Sequence, residues 1–158
     1  MAAGLSHGQV VFFTYKDEGL RFSTQLDCKN RRGQYHLGKN VTGVAFLRSS
    51  TADSSNELLV SCNDSRIRLI SLDDYSVFSK IKGAQSTSMP IKSTFSEDGK
   101  YIISGSDSGA VYIWCRHNQG DAGKPKVVFS FFTRFSICFH YSIFIRIICS
   151  DIGQGSSK

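Results

Sequence analysis

The five cysteines, Cys28, Cys62, Cys115, Cys138 and Cys149, include no pair spaced as CxxC. The histidines His7, His36, His117 and His140 lie far from any cysteine pair. Zinc sites and disulfide frameworks need such spacings, so neither is expected. The opening "MAAGLSHGQV" has no basic n-region and no long apolar run, so it does not read as a secretory signal. Free buried thiols in a cytosolic protein follow as the expectation. A spanning helix needs about 20 apolar residues. The uninterrupted stretch between Arg134 and Arg146 offers only eleven, so no transmembrane segment is expected. The glycines of "SGSDSG" join two strands and open no helix, which excludes a phosphate loop. Nothing fixes a Ser, a His and an Asp together in space, so no catalytic residues are assigned; the chain is expected to be no enzyme and to need no cofactor.

The 158 residues present are 41% hydrophobic, enough for an ordinary domain to bury a real core. Twelve Phe and six Tyr favour strands over helices. The formal net charge of +6 permits acidic partners without demanding them.

Repetition carries the fold. "IKSTF", "YIISGS" and "AVYIWC" are short apolar runs separated by turn chemistry, "SEDG" and then Asp107-Ser108-Gly109, and read as an antiparallel meander. The pattern returns upstream. "VTGVAF" matches "IKSTF", with Phe46 over Phe95. "ELLVSC" matches "KYIISG", with Ser61 over Ser104, and "NDSRIRLIS" matches "DSGAVYIWC", with Ile67 over Val111, Leu69 over Ile113 and Ile70 over Trp114. The spacings are 49, 43 and 44 residues, the drift being a loop insertion, "RSSTADSSN". A further copy, "SHGQVVFFT", places Gly8 over Gly109 and Phe13 over Trp114. Fourth strands, "LRFSTQLD" and "YSVFSKIK", follow two of the third ones. A period in the mid-forties with four short strands per unit is the pattern of propeller blades.

Those residues resemble the WD-repeat β-propeller family. The third strand ends on tryptophan once, at Trp114, and Cys115 stands where the family has aspartate. The Gly-His dipeptide that opens a repeat is absent; the corresponding loops read "HLGKN" and "KGAQSTS". The resemblance therefore implies only a partial polar network, of Ser104 and Trp114 with Asp107. The segment "GLRFSTQLDCKNRRGQYHLGKNVTGV" with "NDSRIRL" resembles more specifically the proteins similar to WD-repeat protein 44, a Rab-GTPase-associated family, over about residues 4 to 117. None of these residues matches that family's Rab-binding region.

The fold expected is all-β: about two and a half four-stranded antiparallel blades of an unclosed propeller. Residues 1–28 would end a partial blade, with two to three strands, so that Met1 begins inside a blade. Residues 29–40 form a basic inter-blade loop, 41–83 a complete blade and 84–132 a second. Strands are expected near 9–15, 20–27, 41–47, 57–63, 66–72, 75–82, 91–96, 101–106 and 110–115. Val44, Phe46, Leu59, Ile67, Leu69, Phe95, Ile102, Val111, Ile113 and Trp114 are the expected core. The tail 133–158 alternates apolar residues from Phe135 to Ile147. It reads as a strand or as a gene-model artefact.

"KNRRGQYHLGK" carries Lys29, Arg31, Arg32 and Lys39 with no acid between them. It reads as a solvated basic loop, or as an anion contact for phosphoinositide or RNA. Arg66 and Arg68 alternate with Ile67 and Leu69, so they share a face, to cover it or to pair with Asp64 and Asp73. Ser61, Ser104, Asp107 and Trp114 are read as structural repeat positions. The expected function is a non-catalytic protein-interaction scaffold, linked by the resemblance to Rab GTPases and vesicle trafficking. The alternative is an anionic-ligand binder acting through 29–39. Partners would be other proteins, with no clear nucleic acid, and with missing blades or self-association covering the open sheet faces. A cytoplasmic location, with attachment at the periphery of endosomal or Golgi membranes left open, completes the reading.

Overall fold

The computed structural model describes residues 1–16, 19–30, 37–47 and 56–116, and the backbone of 126–130. Expectations for Arg31, Arg32 and the tail 133–158 lie outside the described residues. Eleven strands and one short 3-10 turn make up the described structure. The first sheet joins β1 (Ala2–Gly4), β2 (Gln9–Lys16) and β3 (Gly19–Asp27), with the turn at Ser6–Gly8 between the first two. In the second, β4 (Val41–Phe46), β5 (Glu57–Cys62), β6 (Arg66–Ser71) and β7 (Val77–Ile81) pair in chain order. The third has β8 (Ser93–Phe95), β9 (Tyr101–Ser104), β10 (Ala110–Cys115) and β11 (Lys126–Ser130). All pairings are antiparallel, giving the all-β stack of blade-like sheets of an unclosed propeller.

Two strands escaped the sequence reading. "AAG" of β1 offers no branched or aromatic residue to signal a strand. It pairs because β2 supplies a ladder beside it, and because the Met1 ammonium donates to the Phe13 carbonyl at 2.7 Å. The second is β11, which follows the turn-rich run "NQGDAGKP".

Alternation along the middle sheet explains the core. One face carries Leu58, Val60, Cys62 and Ile70, which pack with Val10, Phe12 and Cys28 of the first sheet. The other carries Leu59, Ile67, Leu69 and Ile81, which pack with Ile102 and Trp114 of the third. A strand buried on both faces reads as a continuous apolar run, which is why "ELLVSC" shows no polar alternation. Phe12 meets Tyr75 edge to face with centroids 4.8 Å apart, and Tyr112 stacks on Trp114 at 5.7 Å. Of the expected core, Leu59, Ile67, Leu69, Ile102, Ile113 and Trp114 are buried, and Val44, Phe95 and Val111 are half-buried. Phe46 corrects the expectation: it is 45% exposed. It shares a face with Val44, which packs toward the first sheet. That sheet has three described strands, one fewer than the sheet it faces.

The ladders also correct one repeat alignment. Leu58 pairs with Ile70 and Val60 with Arg68; Ile102 pairs with Trp114 and Ser104 with Tyr112. With Ile70 over Trp114, Ser104 therefore stands over Val60, and Ser61 stands over Gly105. The serine-to-serine match was a one-residue slip, and in a strand a one-residue slip exchanges the two faces. Ser61 and Gly105 thus share a ladder position with Gly4 of the first sheet. That position is small for a reason. A Cβ on Gly4 would overlap the Val41 side chain of the next sheet, and at Ser61 the hydroxyl accepts the Ser93 amide of the next sheet at 3.0 Å. The turns repeat as well: Gly8, Ser65 and Gly109 occupy one turn position, all left-handed with φ of 75°, 57° and 77°.

Replacing Trp114 by Ala removes the largest side chain of the second joint. We expect a loss of ~3–5 kcal/mol, read from urea unfolding of the full chain. An unchanged midpoint would show that the indole does not fill the joint.

Candidate functional site

Strand order sends the connections at residues 5–8, 28–30, 37–40, 63–65, 82–92 and 105–109 to one end of the stack. Here the sheets are joined by polar contacts rather than by side-chain packing. At the first joint, the Val41 amide donates to the Leu5 carbonyl at 3.1 Å. Gly38, with φ of 85°, lies so close to the His7 carbonyl that a side chain would overlap it.

Arg68 is the unexpected residue of this joint. Its alternation with Ile67 and Leu69 is as read, yet it is fully buried and unavailable to a partner or anion. The face it shares is no outer face, because the first sheet covers it. Its guanidinium pairs with the buried Asp64 carboxylate at 2.5 and 3.1 Å, and donates to the Asn30 carbonyl oxygen at 3.3 Å. Asn30 returns a bond to Asp64 at 3.3 Å, so the pair ties the chain after β3 to the β5–β6 turn. Burial opposes the charge on Arg68, but Asp64 outweighs it and raises the pKa above the ordinary value. Beside them, burial pushes the Cys28 thiol up to about 11 and the Cys62 thiol up to about 12, so both are protonated at neutral pH. Asp73, the other candidate partner, instead accepts from Asn56 at 3.2 Å.

The second joint is closed by Asp107. One carboxylate oxygen accepts the Thr87 and Ser88 amides at 2.7 and 3.0 Å and both their hydroxyls at 3.1 Å. The other accepts the Met89 amide at 3.4 Å. Burial raises this carboxyl, but the bonds from Thr87 and Ser88 outweigh it, and the pKa lies below the usual range. Ser106 and Gln85 exchange two bonds of 3.0 and 3.1 Å, and the Ser86 amide donates to the Ser65 hydroxyl at 3.0 Å. Between these loops lies a crevice of about 10 Å³, lined by Ser61, Ser65, Arg66, Ser86, Ser93 and Ser104 among others. It has room for about one water.

The network of Ser104, Trp114 and Asp107 does not form. Ser104 accepts the Ser93 hydroxyl and donates to the Gly105 carbonyl, both at 3.0 Å, and Asp107 serves the 87–89 loop. Ile102, not Ser104, lies opposite Trp114, whose buried indole nitrogen has no partner among the described residues. Of the expected contacts, Lys29 is exposed and pairs with Asp27 at 3.0 Å. Lys39 is exposed just before β4, and half-buried Arg66 donates to the Ser65 carbonyl at 2.9 Å. Lys29 and Lys39 thus flank the first joint and Arg66 the second. Sequence reasoning missed Asn30 and the 85–89 loop. The run "AQSTS" was a signal for the loop, and Asn30 lay unremarked within "KNRRGQYHLGK".

Two substitutions test these joints. Asp64→Ala strands a buried guanidinium and should lower stability by ~3–5 kcal/mol. Arg68→Met with Asp64→Leu should lose clearly less, and equal losses would show that the charge pair itself is not what matters. For Asp107 the folded pKa is below the unfolded value of about 3.9, so its bonds stabilise above that pH and fade as pH falls through the lower folded value. Asp107→Asn should therefore lower the thermal midpoint at pH 7 and narrow the gap from wild type below about pH 4. A gap constant with pH would refute the assignment.

Known proteins share this pattern. The family model for the WD domain, G-beta repeat, matches residues 81–115. WD repeat-containing protein 44 of Xenopus laevis is 39% identical over 116 residues, covering 73% of this chain and 12% of that protein. An uncharacterized WD repeat-containing protein of Schizosaccharomyces pombe is 38% identical over 76 residues, covering 47% of this chain and 13% of that protein. The chain spans only those small fractions of its relatives' lengths. A repeat match at the second joint, blade-like sheets and these identities make the conclusion plain: the chain belongs to the WD-repeat family.

Proposed function

We propose that this chain is part of a non-catalytic protein-interaction scaffold. The observation that carries the reading is the hydrogen-bonded seam at the loop end. Asp107, Ser106 and Ser65 fasten the 85–89 loop to two sheets, so side chains beside it are presented on a fixed surface. Rigid loops on a repeat framework suit partner binding, because little conformational freedom is lost on association. Among the described residues no helix is long and apolar enough to cross a membrane.

The finer reading places the scaffold in a small-GTPase pathway of vesicle trafficking, at the periphery of endosomal or Golgi membranes. Its support is the family resemblance carried by "GKNVTG" and "NDSRIRL". The blade limits at 41–83 and 84–132 belong to the same proposal, and agree with the four-stranded order of the second and third sheets.

Crosslinking of the full chain in cell extract tests the scaffold reading. We expect a defined set of crosslinked proteins that is lost in Asp107→Ala, which loosens the seam. The same set from heat-unfolded chain would sink the proposal. Rab GTPases loaded with a non-hydrolysable GTP analogue should bind more tightly than the GDP forms if the finer reading holds; equal or absent binding removes the GTPase link and leaves the scaffold.

A further inference from the structure

Charge is unevenly shared between the two ends of the stack. At the loop end the described cations include Lys39, Arg66, Lys82 and Lys92, in addition to Lys29. The described acids there are fewer: Asp27, paired with Lys29, Asp64, paired with buried Arg68, and Asp107, which accepts from the amides and hydroxyls of 87–89 and keeps its charge. The opposite end carries the acids Glu57, Asp73, Asp74, Glu97 and Asp98 together with the cations Lys16, Lys100 and Arg116, so its signs are mixed. A field of one sign over one end of a rigid surface selects partners of the other sign.

The second joint concentrates that field. Arg66 lines the crevice together with Ser86 and Ile91. Exposed Lys82 and Lys92 bound the same loop, which the Thr42 hydroxyl anchors by donating to the Ile91 carbonyl at 2.7 Å. Between them Met89 is 52% exposed, although Asp107 accepts its amide. A flexible apolar side chain exposed on a loop bounded by cations fits a polypeptide better than a polyphosphate, since phosphate contacts make no use of it.

We propose that the loop end of the second joint, formed by Arg66, Lys82, Met89 and Lys92, docks an acidic segment of a partner protein that carries an apolar residue among its carboxylates. This rests on the scaffold reading and adds the partner's chemistry. Carboxylates would take the cationic rim and the apolar residue would cover Met89. The crevice is too small to admit more than a water, so contact is with its mouth.

Fluorescence anisotropy on the full chain tests this with three labelled peptides, each alternating leucine with glutamate, lysine or glutamine. We expect the glutamate peptide to bind best, and roughly tenfold more weakly to Arg66→Glu with Lys82→Glu and Lys92→Glu. Rising salt should weaken it further, as screening requires. Met89→Ser should weaken the glutamate peptide and leave a leucine-free glutamate peptide unaffected. Lys100→Glu, at the opposite end, should change nothing. The Gln versions of the three substitutions, with an unfolding midpoint equal to wild type, guard against a folding defect and should give an intermediate loss. Equal binding of the three peptides, no binding of any, or an equal effect from Lys100→Glu would each overturn the proposal while leaving the crosslinking result standing. Tighter binding of an oligouridine RNA or of phosphatidylserine vesicles than of the glutamate peptide would also overturn it, in favour of a polyphosphate or lipid ligand.

Discussion

The two inner strands of the middle sheet, β5 and β6, are buried on both faces, and most of the structure follows from that constraint. Their apolar residues need no alternation, so Leu58, Leu59 and Val60 are all buried in sequence. Their polar residues must find partners, because a buried charge or hydroxyl left alone is expensive. The terminal nitrogens of Arg68 meet the requirement through Asp64 and Asn30, while its Nε has no partner among the described residues, and Ser61 meets it through the Ser93 amide. The bonds to Asn30 and from Ser93 run between sheets. The same constraint that buries the polar groups therefore also fixes how neighbouring sheets are aligned.

The two joints answer one geometric problem with different chemistry. Each sheet must hand the chain to the next at the loop end, where backbones approach too closely for large side chains. At the first joint glycines Gly4, Gly8 and Gly38 give the space, and a buried ion pair locks the approach. At the second, serines and Asp107 hold a loop by its amides. Charge inside the protein serves the first joint and charge near its surface the second. The second places exposed Lys82 and Lys92 in the loop that carries Met89, whose amide Asp107 accepts.

How much of this could be read from the sequence depends on what each feature rests upon. Strands of the middle sheet and β8 to β10 of the third were legible, because turn residues bracket short apolar runs and a repeat supports each one. The position of Trp114 in the joint was legible for the same reason. The one-residue slip at Ser61 was not avoidable from residue types, since serine occurs on both faces; only the pairing of Val60 with Arg68 and of Ser104 with Tyr112 fixes the register. Arg68 misled for a related reason. Alternation assigned its face correctly, but whether a face meets water depends on the neighbouring sheet, which no local pattern records. Phe46 failed in the opposite sense, as an apolar residue that its neighbours leave 45% exposed.

The loop end also carries a second group of cations that sequence charge alone does not reveal. The conspicuous cluster is Lys29 to Lys39, four cations in eleven residues. Lys82 and Lys92 are ten residues apart and Arg66 lies in another strand, so nothing in the sequence joins them. Ser65 bonding to Ser86, and Thr42 to Ile91, bring their loops together across the joint. Asp107 lies beside them, and its five donors from Thr87, Ser88 and Met89 favour its ionised form, so its charge offsets one of the three cations. The residue that orders the loop thus also subtracts from the field of the rim. Three cations against one carboxylate still leave that rim basic.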